Sequence, residues 1–288
     1  MANIICYKKF DKIFSVLFFL LAVTLWQGNG FWVIADDKDN IAVPKGVIFN
    51  GVSGLTGIDE IVDDSNTAVA SKNFLTAAEH NYYGNEHYAK KEFDKAIENY
   101  QKAIDLLATD ENKKPLINAT LYSNIGLATM QLNNLAKAFE WHQKALAIRE
   151  KELGKNHPDT ANSYNNIGII YSRQGDYDKA EKFYTDALNI YTELPYYQTP
   201  AFADICNNIG VLYYKQKKHI EALESLTQAY KIYTTPSHAW DFRLKTVQQN
   251  LKIVYNYLYK NSGRSFNSWS FELQKQFEVN RKLLTREY

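Results

Sequence analysis

Apolar residues recur at steps of three and four along most of the chain. In SYNNIGIIYSRQGDYDKAEKFYTDALNIY, residues 163–191, two such stripes flank a Gly175-Asp176 break. That spacing puts apolar side chains on one face of a helix, and Gly-Asp interrupts it. The stretch predicts a helix, a tight turn and a second helix. The pattern then returns. Gly84, Gly126, Gly168 and Gly210 are spaced by 42 residues. Twelve residues after each stands an alanine (Ala96, Ala138, Ala180, Ala222), and nineteen after each another (Ala103, Ala145, Ala187, Ala229). Large apolar residues precede the glycines: Tyr83, Ile125, Ile167 and Ile209. Columns held in register over four periods identify an internal repeat. Small residues where two helices cross let their backbones approach. One hairpin cannot bury its apolar face alone, so residues 74–235 are expected to stack as an all-α solenoid of four units.

The ends differ from the body. One more period lands on Lys252, preceded by Asn250-Leu251 and followed by Tyr255, but the alanine columns are lost. After Asn261-Ser262-Gly263, residues 268–284 read as an amphipathic helix carrying Phe271, Phe277 and Leu284. Residues 236–288 are therefore a degenerate fifth repeat with a C-terminal capping helix, as a solenoid end requires. Residues 36–73 carry Gly46, Gly51, Gly54 and Gly57 with several Asp, and read as a flexible linker. KGVIFNG, residues 45–51, is alternatively a short strand.

At the N-terminus Lys8, Lys9 and Lys12 precede the apolar run from Ile13 to Trp26. A basic cluster before a short apolar run is the pattern of an export signal. Extension to Ala35 reaches the length of about 20 residues that a spanning anchor needs. Residues 1–35 read as a signal peptide, cut after Gly30 or Ala35, or as an uncleaved membrane anchor. In the second case membrane contact runs only through residues 13–35. Asp36, Asp37 and Asp39 follow the run, and the positive-inside tendency then puts the rest outside the cytoplasm, periplasmic or secreted.

Composition narrows the function. The chain has 288 residues, 45% hydrophobic and 23% charged, a balance that folds rather than staying disordered. Lys+Arg is 33 against Asp+Glu 32, for a formal charge of +1. Nucleic-acid affinity needs clustered basic residues, so no nucleic acid is expected as a partner. Two cysteines, Cys6 and Cys206, give no disulfide framework and no Cys-rich metal site. Cys206 shares a column with His80, Tyr122 and Tyr164, which suits packing better than nucleophilic chemistry. His80 and His87 stand about 10 Å apart on a helix, too far to share a metal. No cofactor, metal or enzymatic activity is expected.

The columns resemble the tetratricopeptide repeat. Its pattern of large apolar residue, Gly, Tyr, Ala, aromatic and Ala is met by Ile167, Gly168, Tyr171, Ala180, Tyr184 and Ala187. Other units depart at aromatic positions, with His87, with Thr129 and His142, and with Leu226. The family's usual period is about 34 residues. The longer unit here, with LGKNHPDTANSYNNIG at its junction, is similar to the kinesin-light-chain variant. The resemblance implies a right-handed superhelical solenoid whose concave groove is lined mainly by the first helix of each unit.

Candidate binding residues follow from that implied groove. Asn124, Asn166, Asn208 and Asn250 form one column, and Asn81, Asn165 and Asn207 belong to the column before it. A carboxamide both donates and accepts, so such a row can pair with the backbone of an extended peptide whatever its side chains. Related long-period proteins use asparagine ladders in this way. The same column can instead bond only the neighbouring helix. The next turn contributes Asn85, Tyr88, Leu127, Ile169, Val211 and Tyr214, a mixture suited to one or two apolar anchors. Arg173 and Lys215 stand alongside. The carboxylate clamp of chaperone-binding relatives is not expected, because its basic positions fall on Asn81, Asn162 and Asn166. The expected function is an exported protein–protein interaction scaffold holding an extended peptide or a helix of a partner. A structural spacer, stacking through its terminal units, is the rival reading.

Overall fold

The computed structural model describes residues 33–35, 42–44, 65–108, 114–194, 198–235, 243–260, 263 and 265–284. The apolar run Ile13–Trp26 and KGVIFNG at 45–51 lie outside them. Two short strands, β1 (Val33–Ala35) and β2 (Ala42–Pro44), pair antiparallel. Helices follow in hairpins: α1 (Ser65–Ala89) with α2 (Phe93–Ala108), α3 (Pro115–Gln131) with α4 (Leu135–Leu153), α5 (Pro158–Gln174) with α6 (Tyr177–Thr192), and α7 (Pro200–Lys215) with α8 (His219–Tyr233). A fifth first helix, α9 (Arg243–Tyr259), and α10 (Phe266–Leu284) close the series. Each helix packs on the next in chain order from α1 to α10. The fold is an all-α solenoid of the expected unit, with the small hairpin at one end of the sequence.

Two boundaries differ from expectation. Helix α1 starts at Ser65, inside the segment read as linker. No Gly or Pro stands between Ser65 and Tyr83, and the alanines Ala68, Ala70, Ala77 and Ala78 favour continuous helix. Strand β1 falls within residues 1–35 and β2 within the linker, away from the stretch expected as a strand.

Local signals position the helices. Pro115, Pro158 and Pro200 open α3, α5 and α7, where a missing N–H costs nothing. Asn134, Asp176 and Thr199 each accept from the backbone N–H of the third residue of the following helix. The turn inside each unit needs one left-handed residue. It is Lys91 (φ 62°), Asn133 (φ 59°), Gly175 (φ 83°) and Lys217 (φ 64°) in successive units. Only the third unit uses glycine, which takes that conformation without a Cβ penalty. Lys217→Gly should therefore stabilise the chain by about 1 kcal/mol, read from a urea melt.

The core runs along the hairpin crossings. Both alanine columns are fully buried, and each glycine faces the large residue sixteen positions later: Gly84 with Tyr100, Gly126 with His142, Gly168 with Tyr184, Gly210 with Leu226. At the C-terminal end Asp204 of α7 is buried, accepting from Tyr233 of α8 and, at 3.0 Å, from Arg243 in α9's first turn. Helix α10 covers the last unit through Phe266, Trp269 and Leu273. Tyr255 of α9 meets Phe266 at 5.6 Å and Trp269 at 4.8 Å. Phe271, expected on the buried face, is exposed, because the face that packs is the one carrying Phe266, Trp269 and Leu273.

Candidate functional site

The asparagine column joins each first helix to the one before. Asn124 donates its Nδ2 to Asn81 (3.3 Å), Asn166 to Ser123 Oγ (3.3 Å), Asn208 to Asn165 (2.9 Å) and Asn250 to Asn207 (3.0 Å). The row thus runs α1–α3–α5–α7–α9, and Asn124, Asn165, Asn166, Asn207, Asn208 and Asn250 are all at most 3% exposed. One half of each amide bonds the neighbouring helix, as the plainer reading of the column had it. The other half is not always used. Asn124 Oδ1, Asn207 Nδ2 and Asn208 Oδ1 are buried with no hydrogen-bond partner. On α7 two consecutive residues therefore leave one donor and one acceptor unpaired. Because the row is structural, Asn208→Ala should cost about 1–2 kcal/mol of stability, measured by thermal or urea unfolding. An unchanged melting point would show that the cross-helix bonds contribute nothing.

The remaining candidates divide. Asn85 accepts from Tyr100 at 2.8 Å, and Tyr88 is fully buried against Phe93, accepting from Gln131 at 3.1 Å. Leu127, Ile169 and Val211 are at most 1% exposed. Expected as apolar anchors for a partner, these three are packing residues, since their columns point into the stacked helices. Arg173 donates to the Met130 carbonyl at 2.9 Å, which ties α5 to α3. Tyr214 and Lys215 are half-buried at the end of α7, and the Tyr214 ring meets His219 at 5.2 Å and Tyr257 at 6.5 Å.

Burial explains the residues that carry chemistry elsewhere. Cys206 is 2% exposed, and burial pushes its thiol up to about 12, so it is a packing group at neutral pH. His80 bonds Asn99 at 3.1 Å and His87 bonds Glu92 at 2.6 Å. Among the described residues no group of three His, Cys, Asp or Glu side chains comes together as a metal site would need. Among them, too, no helix is long and apolar enough to cross a membrane. Two buried groups have surroundings that the sequence pattern does not show. Arg149 donates to Ser163 Oγ at 2.7 Å, and His142 lies over Gly126 with both ring nitrogens unpaired. The sequence signal for His142 is its place in a column with Tyr100, Tyr184 and Leu226.

The tetratricopeptide repeat family matches residues 117–193 and, in a second form, residues 202–235. No curated protein matches the sequence. Several solved structures share the fold. BtubC (BKLC) from P. vanneervenii aligns with a TM-score of 0.55 at 20% identity, covering 76% of this chain and 93% of that one. A putative kinesin light chain from Podosopora anserina with nearly identical repeats aligns with a TM-score of 0.52 at 16% identity, covering 71% and 95%. The Rap conjugation gene regulator of the plasmid pLS20, solved in complex with a Phr peptide, aligns with a TM-score of 0.57 at 22% identity, covering 79% of this chain and 59% of the regulator. Stacked repeats of this kind present extended surfaces that bind other proteins. Residues 117–193 and 202–235 are tetratricopeptide repeats, the repeat of protein-interaction scaffolds, and the hairpins stack as they do in the kinesin-light-chain-like structures.

Proposed function

We propose that this scaffold holds an extended segment of a partner protein along its first helices α3, α5, α7 and α9, and that it works outside the cytoplasm. One observation carries the binding reading. Helix α7 bears the unpaired donor Asn207 Nδ2 beside the unpaired acceptor Asn208 Oδ1, and it is also a helix against which the chain's own strand β2 lies, together with α9. An extended backbone presents alternating N–H and C=O groups, and it would complement these two buried atoms by displacing what now packs over them. The peptide held by the plasmid regulator of the same fold supports the reading. Peptides selected by display on the purified chain should lose about tenfold in affinity with Tyr214→Ala or Lys215→Glu, the latter at unchanged melting point. Affinity indifferent to both would place binding on another surface.

Export rests on Lys8, Lys9, Lys12 and the run Ile13–Trp26. Of the two cut positions, the one after Gly30 leaves the pairing of β1 with β2 intact. Intact mass after cell fractionation should give a soluble extracytoplasmic species starting at Phe31. Full-length protein in the cytoplasm would refute export.

A further inference from the structure

Unit 2 breaks the repeat at one aromatic position. Three residues after each unit's glycine stand His87, Thr129, Tyr171 and Tyr213. In unit 3 the Tyr171 ring fills the space between α4 and α6. It stacks on Phe183 at 5.5 Å and meets Phe139 edge-on at 5.5 Å, with Lys179 Nζ 5.2 Å from its centroid. In unit 4 Tyr213 sits in the corresponding place and donates to Glu181 of α6 at 3.1 Å. The repeat positions equivalent to Tyr171, Phe183, Phe139 and Lys179 in unit 2 are Thr129, Trp141, Ile97 and Lys137. A hydroxyl and a methyl replace a phenol ring there. A cleft of about 650 Å³ opens between α2 and α4, lined by these four residues together with Asp94 and Glu98 among others.

The cleft is unsatisfied as well as empty of a ring. Thr129 is 3% exposed, and its Oγ1 is buried without a hydrogen-bond partner, as is Nε1 of Trp141. Leaving a buried indole N–H and hydroxyl unpaired costs free energy that an occupant bringing an oxygen would recover. Ile97 and the Trp141 ring offer apolar and aromatic contact to a planar group. The lining sets Asp94, Glu98 and Asp105 against Lys102 and Lys137, with Lys102 paired to Glu98 at 2.7 Å, so its charges nearly balance and suit a neutral occupant.

We propose that this cleft is a second binding site, separate from the first-helix row, that takes an unmodified tyrosine side chain of a partner protein. The partner's phenol occupies the place that Tyr171 and Tyr213 fill in their own units, and its oxygen meets Trp141 Nε1 and Thr129 Oγ1.

The test uses the full chain with nitrogen-labelled tryptophan and p-cresol as the probe. The Trp141 indole resonance, assigned by its absence in Trp141→Phe, should shift to saturation, with toluene several-fold weaker. Thr129→Tyr should abolish the response and raise Tm, because the chain then fills its own cleft. Thr129→Val keeps the shape without the hydroxyl and should weaken p-cresol several-fold, which serves equally if the tyrosine variant does not fold. No saturable shift at Trp141, equal binding of toluene, or an undiminished response in Thr129→Val would each overturn the proposal.

Discussion

His142→Phe is expected to stabilise the chain at neutral pH and to remove an acid-induced loss of about 3 kcal/mol that the wild type suffers between about pH 6.5 and pH 4. His142 is fully buried, both ring nitrogens lack partners, and burial, then the nearby Arg149 charge, lowers its pKa from 6.5 to about 3. Above about pH 6.5 neither the folded nor the unfolded imidazole carries a proton, so the site adds no pH dependence there. As pH falls from there towards the folded value, the unfolded chain takes up a proton that the folded chain refuses. Stability then drops by roughly 1–1.5 kcal/mol for each pH unit. Phenylalanine is the better replacement than tyrosine for a reason internal to the repeat. Tyr100 donates to Asn85 and Tyr184 pairs with Ser172, but the equivalent positions in unit 2 are Leu127 and Met130. A tyrosine hydroxyl would find no partner. Carboxylates contribute acid sensitivity to both proteins, so the measurement is the difference between the two stability–pH curves from urea melts. Parallel curves would mean that His142 is solvated in the folded chain.

Gly168→Ala is expected to cost about 2–3 kcal/mol, although alanine is the better helix former. A Cβ on Gly168 would stand 2.6 Å from Cε1 of Tyr184 and 2.7 Å from Cδ1. Tyr184 is 1% exposed within the continuous core, so its ring has nowhere to move and the α5–α6 crossing must open. The clash makes a sharp double-mutant test. Tyr184→Ala alone should cost about 3–5 kcal/mol through the cavity it leaves. In that background Gly168→Ala should be neutral or stabilise by up to about 1 kcal/mol, since only helix propensity remains. Simple additivity would show that the glycine is not needed for the close approach.

The repeat itself was readable because its causes are local and periodic. Gly84, Gly126, Gly168 and Gly210 mark the crossings, and the large side chain opposite each, a ring in three units and Leu226 in the fourth, occupies the place that the missing Cβ leaves. The turn column was half readable. Gly175 announces a left-handed residue, but Lys91 and Lys217 take the same conformation with no sequence signal, held there by the helices on either side. The asparagine row was found by its spacing, whereas its direction was not: a column cannot show that each amide reaches back to the preceding unit and leaves only part of its capacity free. Leu127, Ile169 and Val211 were read as groove contacts because an apolar side chain on a first helix suits either a partner or the core. Stacking decided for the core. Thr129 and His142 stood out as departures from an aromatic pattern, yet only the packed structure shows that one leaves a cleft and the other buries an unpaired ring.

The most direct test of the scaffold's proposed mode of binding follows the side-chain amides of Asn207 and Asn208 by NMR while a display-selected peptide is added to the chain. Both amides should shift to saturation, together with the backbone amides of α7 and α9 that lie beside the chain's own strand β2. Shifts confined to α2, α4, α6 and α8, with Asn207 and Asn208 unmoved, would contradict capture of an extended segment along the first helices.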